Sequence, residues 1–311
     1  MGNRIVVAGV ASWGVNVGVG EPAVDTAASG WRPRWLVSGL GGAAGHISTI
    51  LRALGDEVEL CTVAGRDAIG SLIRWRLREH GLDGRGVVDC GVSAEAAVLV
   101  GPDGRRAVLS HSTQIAAVQY PEEVFTEAVR GADLAVLTST PFTRPLLAAA
   151  VLHGVPIAVD VNVIADVEDD YYGPWLEVAD IVFCSHERLP CSAERWLARI
   201  FDRYPGCLVA AVGRGPLGCV LGLRDGRLVR AEAVAPLGVC NTSSAGDSLF
   251  AAFLHGWLST GNAAEALPDA VLYAGWRIGH RFPSGVALTA AELARLRLRH
   301  PVRVRLDRWD R

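Results

Sequence analysis

Small residues lead straight into an apolar helical pattern in the segment Cys240-Asn-Thr-Ser-Ser-Ala-Gly-Asp-Ser-Leu-Phe250. Leu249, Phe250, Phe253, Leu254, Trp257 and Leu258 recur at helical spacing, a core-facing stripe that would hold the first turn rigidly. A helix N-terminus leaves unpaired amides and a partial positive charge, and both suit a phosphate. Ser244, Ala245 and Gly246 are small enough to let a phosphoryl group reach the backbone. Asp247 then stands in the first turn, where a carboxylate could accept the proton of an attacking hydroxyl. Its place at the helix terminus is expected to keep it ionised at neutral pH. The pattern S/T-x-x-D is equally that of an ordinary helix cap, and this segment alone leaves both readings open.

Composition removes several other chemistries. The chain has no lysine, so all 30 of its Lys+Arg total is arginine. A Walker-type loop needs G-K-[ST], and Schiff-base chemistry needs a lysine amine, so both are excluded. A glycine fingerprint for a dinucleotide does not follow the first strand in register between Gly9 and Gly20. The net charge of −3 provides no field for nucleic acid, and the basic run at 295–308 reads as a solvated tail. The seven cysteines are scattered and never spaced C-x-x-C, as expected of buried thiols in a reducing cytoplasm. Residues 5–8 form a strand-like run too short for a signal peptide, and no apolar run reaches membrane-span length.

Elements must position that carboxylate, and their pattern is alternating. Residues 4–9 read as a buried strand, 43–54 as a helix, 57–64 as a strand, and 67–80 as a helix that stops at Gly81. Strand signals recur at 134–138, 156–161, 181–184, 208–212, 219–223 and 228–233. Helices are predicted at 144–153, 194–202, 244–259 and 264–281. This alternation implies an α/β fold with a mostly parallel sheet and helices on both faces. Within it, 86–111 carries a hairpin signal turning at Pro102-Asp103-Gly104. With 30–39 it could form a small separate sheet.

Two segments, in this order and separation, resemble the signature regions of the ribokinase-like, phosphofructokinase-B-type kinases of carbohydrates and nucleosides. The first is Gly41-Gly42-Ala43-Ala44-Gly45-His46, then Leu51-Arg-Ala-Leu-Gly55, then Val63-Ala-Gly-Arg-Asp67 and Gly70. It is similar to G-G-x-x-x-N, L-x-x-L-G and V-G-x-D-x-x-G. The second, Asn241 to Ser248, is similar to D-T-x-G-A-G-D-[ST]. The resemblance covers nearly the whole chain. It implies a single ribokinase-like domain over 1–311, a three-layer α/β/α core with a small β-sheet lid from about 12–39 and 86–111. It implies an ATP-dependent kinase with Mg²⁺, acting on a hydroxyl of a sugar, nucleoside or sugar-like molecule.

The resemblance also implies roles. Asp247 would be the base, and the amides of Ser244, Ala245, Gly246 and Asp247 the anion hole. Gly213, Gly215 and Gly218 match the glycines of a turn beside ATP, with Thr242 and Ala274 completing the nucleotide side. Asn16, Gly41, Gly42, His46, Asp160 and Asn162 fall on substrate positions. The lid would support a possible homodimer.

Several positions depart from the family pattern, among them Asn241, which stands where the second signature begins with an aspartate. His46 replaces an asparagine that binds the sugar, and a structural histidine is an equal reading. The N-terminal aspartate aligns to Gly14, or to Asn16 with an insertion. Trp13 beside it reads either as an aromatic substrate face or as core. The N-x-x-E that organises Mg²⁺ aligns to Ser185-His-Glu-Arg188, which leaves Glu187 as a water-mediated substitute. Ser244 replaces a glycine, tolerable if that position needs no positive φ. These departures keep a second reading open, a non-catalytic ligand sensor on the same fold. The histidine reading has a direct test. His46→Ala is expected to raise substrate KM more than it changes ATP affinity in steady-state kinetics; no change in either would make His46 structural.

Overall fold

The computed structural model describes residues 2–20 and 32–309. The part of the expected small sheet that falls on 21–31 lies outside the described residues.

The run Ile5-Val-Val-Ala is wholly buried in β1 (Arg4–Ala8), as a central parallel strand covered on both faces requires. The chain then forms β2 (Ser12–Gly18), whose alternate residues are buried, and returns in β3 (Trp35–Gly41). α1 (Ala43–Leu54) ends at Gly55 in the left-handed conformation and leads into β4 (Glu57–Gly65). α2 (Ala68–Glu79), β5 (Val87–Cys90) and the hairpin of β6 (Ala94–Val100) and β7 (Arg106–His111) follow. Next come α3 (Glu122–Val129), β8 (Leu134–Leu137), α4 (Leu147–Leu152), β9 (Ile157–Val163), α5 (Gly173–Leu176) and β10 (Ile181–Ser185). α6 (Ala193–Arg203) precedes β11 (Val209–Gly213), β12 (Cys219–Leu223) and β13 (Arg227–Ala231). The chain closes with α7 (Ala245–Thr260), α8 (Ala263–Arg277), α9 (Ala290–Arg299) and β14 (Val304–Arg308).

The large sheet runs β14-β13-β12-β11-β10-β9-β8-β1-β4-β5. From β11 to β5 its pairs are parallel, and the three strands beyond β11 are antiparallel. Alternate residues of β1 feed two cores. Ile5 and Val7 join α1, α2, α7 and α8, whereas Val6 and Ala8 join α3, α4 and α6. The result is the three-layer α/β/α arrangement. A separate four-stranded sheet, β3-β2-β6-β7, stands beside it.

One carboxylate ties the two sheets together. Asp67 caps α2, its Oδ1 accepting from the Gly70 amide at 2.6 Å and from Ser93 Oγ at 2.8 Å. Its Oδ2 accepts from the Ser93 amide at 2.8 Å, immediately before β6 begins. Gly70 lies so close to β4 that a Cβ would sit 1.9 Å from the Gly65 carbonyl oxygen. The Gly-Arg-Asp-x-x-Gly run is therefore a structural clamp that aims the small sheet.

Several elements differ from the sequence expectation. Residues 87–90, expected with the lid hairpin, form β5 and pair with β4 in the large sheet. The helix expected at 144–153 shortens to α4, because residues 144–146 continue the i→i+3 turns begun at Pro141 and Pro145 has no amide to donate. The basic run at 295–308 is not a free tail. It closes α9 and supplies the edge strand β14, and its arginines pair with acids, Arg297 with Asp269 and Arg305 with Glu232. α3 has no counterpart in the sequence reading, although Phe125, Ala128 and Val129 bury one face of it.

Gly70→Ala is expected to destabilise the fold by about 2 kcal/mol, the usual cost of overpacking against fixed backbone. A thermal melt checks it, with a midpoint several degrees below wild type.

Candidate active site

The predicted site residues converge where parallel strands end, the position at which open α/β sheets bind ligands. A cavity of about 300 Å³ is lined by Ser12, Asn16, Gly41, Gly42, His46, Asn162, Ser243, Ser244 and Asp247, among others. The small sheet roofs it with Ala96, Val98, Arg106, Val108 and Ser110. Asp160 does not line the cavity but lies against its floor, 3.8 Å from where a Cβ on Gly246 would be. Its Oδ1 accepts from the Asn162 amide at 2.8 Å, which holds Asn162 at a φ of 52°.

The start of α7 has the features of an anion site, with one change from expectation. The Ala245 amide donates to the Thr242 carbonyl at 3.3 Å and is engaged in that turn. The Gly246 and Asp247 amides have no acceptor among the described residues. The buried hydroxyls of Ser243 and Ser244 also lack partners among the described residues, and both residues line the cavity. Unpaired buried donors facing a cavity are what an incoming phosphoryl group would satisfy. Ser244 occupies a left-handed φ of 55°, so this position does need the conformation that glycine adopts most readily. The condition under which the lost glycine would be tolerable, no positive φ at this position, is therefore not met.

Asp247 opens on the cavity, yet protein surrounds it closely. Burial pushes its pKa up to about 7, the Asp160 carboxylate adds to the rise, and Arg277 and Arg106 oppose it. The expected lowering at the helix terminus is overruled, because desolvation outweighs the terminal dipole. Burial likewise raises Asp160 to about 6, against the pull of the Asn162 amide. Burial lowers His46 to about 3, and the charge of Arg277 adds to this, so its ring is neutral. A neutral imidazole offers one donor and one acceptor to a hydroxylated ligand.

Asn16 is joined to the second motif across the cavity wall. Asn241 Nδ2 donates to Asn16 Oδ1 at 3.0 Å and to the Arg281 carbonyl at 2.9 Å. Trp13 points the other way and packs on the core, which settles its two readings in favour of structure. The tip of the β6–β7 hairpin docks onto the same motif. The Gly104 carbonyl accepts from the Thr242 amide at 3.1 Å and from its Oγ1 at 2.9 Å, while Arg106 Nη1 donates to Thr242 Oγ1 at 3.2 Å.

The predicted nucleotide residues lie beside this point rather than in the cavity. Gly213 ends β11 against α7, where a Cβ would meet Leu249 at 3.5 Å. Gly215 and Gly218 both have positive φ in the turn to β12, and a Cβ on Gly218 would lie 2.0 Å from the Ala231 carbonyl oxygen. Ala274 is on α8 and packs partly against the core. Glu187 is exposed after β10, its amide held by Ser185 Oγ at 3.3 Å, and it does not line the cavity.

Two cavity-lining residues, Arg106 and Phe282, and one buried residue behind the site, Arg277, are not singled out by the sequence. Arg106 gives no signal beyond a charge on a lid strand. Phe282 reaches the cavity from the segment after α8. Arg277 had a readable signal, since it continues the apolar spacing Ala270, Tyr273, Ala274 and places a charge on the buried face of α8.

The fold and this site define a ribokinase-like phosphotransferase architecture. Residues 24–285 match the model of the pfkB family carbohydrate kinases, and the chain belongs to that family. It is 31% identical over 272 residues to an ATP-dependent ribose-1-phosphate kinase of Halopiger xanaduensis, covering 85% of this chain and 88% of that one. It is 29% identical over 234 residues to the acarbose 7(IV)-phosphotransferase of an Actinoplanes species, covering 73% and 75%. Among solved structures, the microbiome-derived acarbose kinase Mak1 superposes with a TM-score of 0.81 at 22% identity, covering 95% of this chain and 99% of that one. Ribokinase from Giardia lamblia gives 0.81 at 15% identity, covering 96% and 99%. The chain is a kinase of sugar-like molecules, and no helix among the described residues is long and apolar enough to cross a membrane.

Ser244→Gly is expected to raise stability by about 0.5–1 kcal/mol, since relief of left-handed strain exceeds the added chain entropy. The midpoint of thermal unfolding reports it; a lower midpoint would show that the serine hydroxyl holds the turn.

Proposed function

We propose that this protein transfers the terminal phosphoryl group of ATP to a hydroxyl of a sugar or sugar phosphate, with Asp247 as general base. One observation carries the reading. Asp247 faces the cavity at the same place where the Gly246 and Asp247 amides and the Ser243 and Ser244 hydroxyls have no acceptor among the described residues. A base and an anion hole at one point are what in-line transfer to a hydroxyl requires.

The chain's own groups divide the work. Asn16, Gly41, Gly42, His46 and Asn162 hold the acceptor molecule, with Asp160 bracing Asn162 from below. Asp247, as carboxylate, takes the proton of the attacking hydroxyl. The α7 amides and serine hydroxyls receive the charge of the moving phosphoryl group, and Ala245 and Thr242 shape that turn. The β11–β12 turn with Gly213, Gly215 and Gly218, together with Ala274, forms the nucleotide side. Arg106, in the cavity roof and free of any carboxylate partner among the described residues, favours an acceptor that carries an anionic group. That preference agrees with the substrate named for the Halopiger xanaduensis relative, ribose 1-phosphate.

Mg²⁺ fits the donor set. No group of three or more His, Cys, Asp or Glu side chains among the described residues forms a closed metal cage. Asp160 and Asp247, each driven upward, are a pair whose repulsion a nearby dication would relieve. When bound, Mg²⁺ would supply neutralisation of the phosphate charge beside these carboxylates. Glu187 is left with a water-mediated part. The docked β6–β7 hairpin acts as the lid that excludes water, and the small sheet's edge strands β3 and β7 expose Leu36 and Leu109 to a second copy in a homodimer. The cysteines are free thiols, in keeping with a cytoplasmic protein.

The catalytic reading yields two measurements. ATP consumption with Mg²⁺ is assayed across sugars, sugar phosphates, nucleosides and cyclitols. Asp247→Asn is expected to lose at least about 10³-fold in kcat with ATP affinity nearly unchanged; near-native turnover would remove Asp247 from the base role. Because the base must be deprotonated and its pKa is raised to about 7, kcat/KM should rise with pH through that value. At pH 6 it should be about tenfold below its plateau. A flat profile between pH 5.5 and 8 would contradict the buried carboxylate.

A further inference from the structure

One buried charge has no part in this mechanism. Arg277 closes α8 with 1% of its surface exposed, among the largest fully buried side chains. Its Nε donates to the Pro283 carbonyl at 2.8 Å and its Nη1 to Ser248 Oγ at 3.1 Å. Nη2 has no partner, and no ion pair reaches the guanidinium among the described residues. A buried cation is retained only where a negative charge compensates it. Ser248 follows Asp247 directly, and its hydroxyl donates onward to the Ser244 carbonyl at 2.6 Å. The chain Arg277–Ser248–Ser244 thus anchors the guanidinium to the first turn of α7, next to Asp247.

We propose that Arg277 is a positioning residue of the transfer site, a fixed internal counter-charge that keeps Asp247 available as a proton acceptor and His46 as a neutral ligand. This rests on Asp247 being the base. The groups facing Asp247 come from five elements. Asp160 on β9 opposes its ionisation, Arg106 on β7 and Arg277 on α8 favour it, His46 on α1 is neutral, and Glu95 on β6 lines the far side of the cavity. β10 packs nearby with the thiol Cys184, which burial keeps protonated. The two arginines are not equivalent. Arg106 sits on an exposed edge strand of the small sheet, where solvent screens it. Arg277 is buried in the core, beyond that screening. It is therefore the permanent positive charge that offsets Asp160.

The test combines thermal melts with pH profiles on full-length protein carrying Arg277→Met, Asp247→Asn, both changes, or Arg277→Lys. With the two charges compensating each other, each single change strands its partner, and the double variant melts no lower than the worse single. Arg277→Met should move the acid limb of kcat/KM upward by about one pH unit or more, a tenfold loss near pH 6 with KM little changed. Arg277→Lys should restore most of it. If Arg277→Met does not fold, Arg277→Gln, which keeps a donor for Pro283, carries the same cycle. Additive melts overturn the proposal, and so does a folded Met or Gln variant whose acid limb stays at the wild-type position. If wild type turns over nothing on the panel while the melts remain coupled, the kinase reading fails and the compensation of the two charges stands.

Discussion

A helix can receive an anion at its N-terminus only if that end stays chemically open while the rest is buried, and this constraint organises the molecule. α7 has Ser248 to Leu254 sealed in the core, wrapped by α1, α8 and the sheet. Its first turn is left facing the cavity with donors to spare. Anchoring and openness pull against each other, since a buried donor without a partner is costly. The strain is visible at Ser244, held left-handed at the N-cap with no side-chain capping bond. A neighbouring network holds this shape. Asn241 fixes the Ser243 amide at 2.9 Å, and Ser248 holds the Ser244 carbonyl.

Charge follows from the same geometry. The end of β9 and the start of α7 bring Asp160 and Asp247 together in a region poor in water, so both carboxylates resist ionisation. Positive charge has to come from elsewhere, and it arrives on two unrelated elements, a lid strand and the last turn of α8. His46 responds to the same surroundings by staying neutral. The site is thus tuned by burial more than by the helix dipole, which acts only over the first turn and is the weaker effect here.

The small sheet contributes in a different way. Asp67 fixes where it departs from the core, through α2 on one side and Ser93 on the other. Thr242 fixes where its hairpin lands, on the segment leading into α7. Both tethers sit inside the two recognisable motifs. Those motifs therefore join the roof of the cavity to its floor as well as supplying the groups that face it.

Much of this was legible from residue order alone. Helical and alternating periods placed α1, α2, α7 and most strands, because burial of one face imposes the period on the sequence. The small residues before Asp247 marked a helix start open to a phosphate, and two spaced motifs marked the family. Other features depend on residues far apart in the chain. β5 was assigned to the wrong sheet because its partner β4 lies across α2, and pairing is not a local property. The terminal arginines looked like a tail because their acids, Asp269 and Glu232, are distant in sequence. The ionisation of Asp247 is not readable from its neighbours in sequence for the same reason, since desolvation and Asp160 outweigh the local dipole. The sequence by itself determined which helix start is flanked by small residues and which carboxylate stands in its first turn. Only the tertiary structure decided the electrostatic setting of that carboxylate, because that setting is the sum of burial and charges that folding brings from β7, β9 and α8.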